Sequence, residues 1–140
     1  MKIIITPLDK LFSQYIRMLT YNKDEGTAHC EYCGKVFWDM IKENGEVYPA
    51  WKHLQCSHFF SRRSKATRWD LDNAAGLCFS CHMYLGGNPY VHTEWFKKRL
   101  GSEKFEQLVI RVNMIVKRSK ADKEQLYREL KEQVKLMEAR

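Results

Sequence analysis

The sequence predicts a small α+β fold in which helices flank a centre of short strands. Three observations support this class: an amphipathic segment follows Thr6, two Cys-x-x-Cys pairs lie where helical periodicity is weak, and helical patterns return after Gly86. Cysteine pairs of equal spacing are typical of domains in which a metal joins distant segments. The chain has 140 residues, which suits a single domain.

The N-terminal segment predicts a helix from Pro7 to about Thr20. Thr6 can cap it, Pro7 fits the first helical position, and Asp9 stands where the acid of a capping box belongs. One face is apolar and is expected to pack on the core: Leu8, Leu11, Phe12, Tyr15, Ile16 and Leu19.

The middle of the chain predicts strands and turns. Residues 30–51 suggest irregular strands around a metal knuckle, and residues 54–60 alternate as in a strand. A turn is expected at 70–73 and a short helix at 77–85, which the Gly-Gly-Asn-Pro sequence at 86–89 ends.

Three more helices are predicted: residues 91–99, a segment capped by Ser102, and a segment that starts near Asp122. We divide the chain into residues 1–100, which carry the cysteines, and a C-terminal helical extension, 101–140. The extension is expected to pack on the domain or to pair two copies of the chain.

The clustering of positive charge, more than the net charge itself, favours a nucleic-acid partner. The formal net charge is +7, and the loop from Ser61 to Trp69 contains four cations and no acid. The candidate DNA-binding residues are Arg62, Arg63, Lys65 and Arg68. The runs at 97–99 and 117–120 fit a solvated face and DNA contact equally well, and Trp69 fits base stacking and packing equally well.

Hydropathy predicts a soluble intracellular protein. No apolar run approaches the roughly 20 residues of a membrane span, and the aliphatic start, residues 3–5, is too short for a signal peptide. No membrane partner is therefore expected.

Four of the five cysteines predict a structural zinc site, namely Cys30, Cys33, Cys78 and Cys81. Without a secretory signal, a disulfide framework is the poorer explanation. An iron–sulfur cluster or a redox pair fits the same spacing. Cys56 is expected to be a small buried hydrophobe.

Three polar residues lie between or next to the cysteines, in the order His, Asn, His. His58 falls on the predicted strand, Asn73 follows the basic loop, and His82 directly follows Cys81. This pattern resembles the HNH nucleases, whose ββα-metal finger carries a His, an Asn and a closing His in this order. More widely, the segments TPLDKLFSQYIR, LQCSHFFSRR, TRWD and LCFSCHMYLGGNP resemble the NinG/Rap family of phage recombination nucleases, over about residues 6–100.

The resemblance implies that residues 1–100 form an HNH nuclease domain that hydrolyses DNA phosphodiester bonds. His58 would be the general base, His82 a ligand of a catalytic Mg²⁺ or Mn²⁺ ion, and Asn73 the residue that fixes the loop around the base. It also implies branched DNA as the partner, the cytoplasm of a phage-infected bacterium as the location, and a possible homodimer.

The sequence departs from the pattern at Ser57, where many HNH fingers have a metal-binding Asp. A hydroxyl is a poorer ligand for a hard cation, so Asp70 or Asp72 are candidates to complete the site. Two alternative functions remain. Because of Ser57, the chain could be a non-catalytic zinc-ribbon module that binds nucleic acid. Because of its C-terminal helices, it could be an assembly protein. His53 and His92 are expected to pack within the fold.

Overall fold

The computed structural model describes residues 2–139, and within them it has five α-helices and three two-stranded antiparallel sheets. The helices are α1 (Pro7–Met18), α2 (Phe79–Gly86), α3 (Pro89–Leu100), α4 (Ser102–Val112) and α5 (Lys120–Ala139). The strands pair as β1 (Thr27–His29) with β2 (Val36–Trp38), β3 (Met40–Ile41) with β4 (Val47–Tyr48), and β5 (Gln55–His58) with β6 (Ala74–Leu77). The predicted α+β class is confirmed.

Helix α1 begins with the predicted capping box. The Asp9 N–H donates to Thr6 Oγ1 at 3.2 Å, and the Thr6 N–H donates to Asp9 Oδ2 at 2.8 Å. Leu8, Phe12 and Ile16 are buried on the face that packs against β5, β6 and α5. Burial of this apolar face is what holds α1 on the core.

Strand β6 corrects the expectation of a helix from Leu77. Residues Ala74–Leu77 pair with Gln55–His58, and the helix begins at Phe79. The backbone of α1 lies beside β6, since a Cβ on Gly76 would be in van der Waals contact with the Ile16 carbonyl oxygen, at 3.5 Å. An Ala-Ala-Gly-Leu strand has no β-branched residue, so propensity does not reveal it.

The C-terminal helices pack on the remaining structure. Helix α4 lies against α3, and α5 lies along α1 with Leu130 and Val134 buried. Ser102 is the first residue of α4 and not its cap, because Gly101 takes the cap position with a φ of 84°. The division at residue 100 and the pairing of two copies stay predictions. No helix within residues 2–139 is long and apolar enough to cross a membrane.

Candidate functional site

Four cysteines meet between the β1–β2 knuckle and the start of α2. The Sγ atoms of Cys30, Cys33, Cys78 and Cys81 all lie within 4.8 Å of one another, and those of Cys33 and Cys78 are 3.9 Å apart. Four thiolates around a tetrahedral ion at about 2.3 Å are separated by about 3.8 Å. The cluster therefore has the dimensions to hold a metal ion such as zinc, as the cysteine spacing predicts.

Beside the cluster, Glu31 of the knuckle is bonded to β6 and to α3. The Glu31 N–H donates to the Gly76 carbonyl at 2.9 Å, the Gly76 N–H donates to Glu31 Oε2 at 2.6 Å, and Arg99 pairs with Glu31 Oε1 at 2.9 Å. Burial raises the pKa of the Cys30 and Cys81 thiols. A bound cation offsets this cost of forming thiolates, so metal binding would tie the knuckle to β6 and α2.

A groove of about 630 Å³ lies beside β5 and brings His58 and His82 to one surface. Arg17, Lys52 and Arg62 supply positive charge, and among the described residues no Asp or Glu lines it. The remaining lining residues are Ile3, Ser13, Leu54, Gln55, Cys56 and Ser61. Arg17 and Lys52 were not candidates from the sequence, because neither belongs to a basic run.

His58 ends β5, opposite Ala74 in the sheet, with its ring 5.5 Å from that of Phe12. Its Nε2 lies 3.2 Å from the Arg68 carbonyl oxygen. A carbonyl can only accept, so Nε2 carries the proton and Nδ1 keeps a lone pair. Burial, and then the charge of Arg62, lower the pKa of His58 to about 4, which leaves the ring neutral at pH 7.

Asn73 is fully buried and holds the loop that follows β5. Its Oδ1 accepts from the Phe60 N–H at 2.8 Å, and its Nδ2 donates to the carbonyls of Phe60 and Thr67 at 2.9 and 3.0 Å. The amide thus joins both ends of the loop between the two strands. This is the arrangement that fixing the loop around His58 requires.

His82 lies in the first turn of α2, and its Nδ1 is buried without a hydrogen-bond partner among residues 2–139. The Nε2 of His92, in α3, is also buried and has no hydrogen-bond partner among these residues. Burial, and then His82, lower the pKa of His92, and its ring packs on Phe59 and Phe96 at 5.3 and 5.1 Å. The sequence predicts this packing but not the proximity to His82, which depends on the sharp turn between α2 and α3.

The predicted DNA-binding cations have different surroundings. Arg62 lines the groove, and Arg63 and Lys65 are exposed. Arg68 is held inside the fold: its Nη2 donates to Asp9 Oδ2 at 2.6 Å and to the Ile4 carbonyl at 2.8 Å. Burial raises the pKa of Asp9, but hydrogen bonds from Arg68 and Thr6 lower it to about 2, so this ion pair persists into acid.

The candidate ligands for a second ion are mostly occupied elsewhere. Ser57 is 2% exposed and does not line the groove. Asp70 and Asp72 do not reach it either, because both pair with Arg111, at 2.6 and 3.2 Å. Of the expected ligands Ser57, Asp70, Asp72 and His82, His82 is the one that lines the groove, so further ligands would come from water and substrate.

Comparison of the chain with protein-family models, curated proteins and solved structures gives no match. The function therefore has to be inferred from the groove, the cysteine cluster and the charges around them.

Proposed function

We propose that the chain is an HNH-type DNA endonuclease that hydrolyses phosphodiester bonds with Mg²⁺ or Mn²⁺, and that its four cysteines hold a structural zinc. The observation that carries the proposal is a neutral imidazole, His58, on the wall of a groove with three cations and no acidic side chain among the described residues. A groove of this charge attracts a phosphate backbone, and a neutral imidazole can accept a proton from water.

His58 is the general base. The Arg68 carbonyl orients its ring by accepting from Nε2, which leaves Nδ1 to take the proton of the attacking water. A pKa of about 4 makes a weak base, but a phosphate beside Arg62 would offset the charge that depresses it. Substrate binding therefore strengthens the base where it is needed.

The cations of the groove hold the phosphate and stabilise the charge that develops on it. Arg17, Lys52 and Arg62 line the same surface as His58, and Arg17 is oriented by its position over the Trp51 ring, 4.9 Å from its centroid. Contacts of this kind read the backbone and not the bases. Branched recombination intermediates are the substrate that the resemblance to NinG/Rap nucleases suggests.

His82 would hold the catalytic ion. When bound, a divalent ion supplies a Lewis acid for the phosphate and the leaving oxygen. His82 lines the groove, but its Nδ1 is buried, so Nε2 is the nitrogen that would bind the ion. Because no carboxylate among the described residues lines the groove, we expect the ion to bind weakly without DNA phosphate oxygens as additional ligands.

The test is cleavage of supercoiled plasmid and of a synthetic four-way junction by zinc-loaded protein, with Mg²⁺, with Mn²⁺ or without added divalent ion. His58→Ala should reduce the cleavage rate by roughly 10²–10⁴-fold, the usual contribution of a general base, and leave DNA binding unchanged. His53→Ala is the matched control, since its ring packs between Phe37 and Tyr48 and does not line the groove.

Cleavage that depends on the added ion and on His58 supports the nuclease, and preference for the junction supports branched DNA. If folded wild-type protein binds both DNAs and cuts neither, the nuclease proposal is wrong, and the chain is a zinc-ribbon module that binds nucleic acid.

A further inference from the structure

The basic run at 117–120 is largely exposed, but Arg118 anchors it to the rest of the fold. It follows α4 and lies against the basic loop, where the two segments enclose a second cavity of about 260 Å³. The lining residues are Lys65, Arg68, Trp69, Val116, Lys117, Arg118 and Lys123. Five of these seven side chains are cationic, and none is acidic.

Arginines build the rigid part of this second cavity. Arg118 donates to the carbonyls of Lys65 and Ala66 at 2.7 and 3.3 Å, which attaches the C-terminal segment to the loop. The guanidinium carbons of Arg68 and Arg118 lie 5.2 and 5.4 Å from the centroid of the Trp69 ring. The Trp69 Nε1–H donates to Asp9 Oδ1 at 2.9 Å, which fixes the edge of this indole to the fold.

Lysines supply the charge that is available to a ligand. Within residues 2–139, Lys65, Lys117 and Lys123 form no ion pair. The carboxylates that neighbour the cavity residues are engaged: Asp9 neutralises Arg68, and Asp122 accepts from the N–H of Ser119, the residue that caps α5, at 2.9 Å. The cavity therefore keeps a net positive charge.

We propose that this cavity is a second binding site for the phosphodiester backbone of nucleic acid, separate from the groove at His58. The inference rests on the proposed function and adds a second point of contact to it. The basic loop links the two places, since Ser61 and Arg62 line the groove while Lys65 and Arg68 line the cavity. A nucleic acid that follows this loop meets both surfaces.

The chemistry of the cavity favours a backbone over a small anion. Tight capture of one phosphate uses the planar fork of arginine, but both guanidinium groups here already donate to the protein. The three lysines that remain are mobile point charges, which suit non-specific attraction of a chain of phosphates.

The experiment measures duplex and four-way-junction binding by anisotropy, without divalent ion, across a range of salt concentrations. Lys117→Ala/Lys123→Ala should weaken binding to both DNAs by roughly tenfold or more at 0.1 M salt and lower the salt-dependence slope by about two, one for each lost phosphate contact. The control is Lys131→Ala/Lys135→Ala, which removes two exposed lysines further along α5, the helix that carries Lys123, that line neither cavity.

Affinity and slope equal to those of the control variant would overturn the inference. So would displacement of the DNA by inorganic phosphate at constant ionic strength, because the cavity would then be a small-anion site. Plasmid cleavage with added Mn²⁺ is measured separately. If Lys117→Ala/Lys123→Ala binds DNA like the control while wild-type protein cuts plasmid, only the second site is refuted. If the two substitutions weaken DNA binding but wild-type protein does not cut, only the nuclease is refuted.

Discussion

Asn73→Ala should destabilise the fold by about 4–6 kcal/mol. The substitution removes three hydrogen bonds of 2.8, 2.9 and 3.0 Å, each with a net value of about 1 kcal/mol. It also leaves the Phe60 N–H and two carbonyls without this partner. Thr67 is fully buried, so water cannot replace the amide there unless the loop opens, which adds roughly 1–3 kcal/mol for a buried unpaired group.

The assay is urea unfolding of the zinc-loaded protein, followed by circular dichroism, with the free energy of unfolding taken from linear extrapolation. Amide exchange at Phe60 should accelerate in parallel, because its N–H loses its acceptor. Asn113→Ala is the control: this exposed side chain donates to the Val109 carbonyl and to no other group of residues 2–139, and a change within about 0.5 kcal/mol is expected. A loss below 1 kcal/mol for Asn73→Ala, with Phe60 exchange unchanged, would refute the role of the amide.

Three further predictions concern charge and metal. Asp9→Asn leaves Arg68 without its buried counter-ion and should reduce the free energy of unfolding at pH 7 by about 3 kcal/mol, measured by urea unfolding. In wild-type protein this contribution is complete above pH 4 and is lost as the pH falls toward 2, because folding lowers the pKa of Asp9 to about 2. His58 has a folded-state pKa of about 4 against 6.5 in the unfolded chain, so protonation favours unfolding, and stability should fall by up to about 3 kcal/mol between pH 6.5 and 4. His58→Phe should remove that part of the slope in urea titrations at several pH values. Cys33→Ser should lower the zinc content measured by atomic absorption and reduce the melting temperature by several degrees.

Each of these predictions has an outcome that contradicts it. Equal stability of Asp9→Asn and wild type at pH 7 would mean that Arg68 is solvated and not buried. Parallel pH profiles for His58→Phe and wild type would mean that His58 titrates normally. Full zinc occupancy in Cys33→Ser would mean that the cysteine cluster is not the metal site.

The features predicted correctly from the sequence are those with local or repeated signals. The capping box at Thr6 and the period of the apolar residues define α1, and the equal spacing of the cysteine pairs identifies the cluster around Cys30. Strand β6 was missed because small residues replace the β-branched residues of a typical strand.

Long-range contacts carry no comparable signal in one sequence. Nothing in the chain indicates that Arg111 takes the carboxylates of Asp70 and Asp72, or that His92 lies near His82. Only one of the two roles of Asp9 could be predicted. Its capping of α1 is local, whereas its pairing with Arg68 depends on the tertiary fold.

The pairing of Arg111 with Asp70 and Asp72 has a consequence for the order of assembly during translation. These contacts span 41 and 39 positions of the sequence, so the ribosome releases both acids well before their counter-ion. Until α4 emerges and docks, two neighbouring carboxylates repel each other beside Asn73, and that repulsion opposes closure of the loop. We therefore expect the loop between β5 and β6 to be among the last parts of a nascent chain to reach its final form, after the cysteine cluster has assembled.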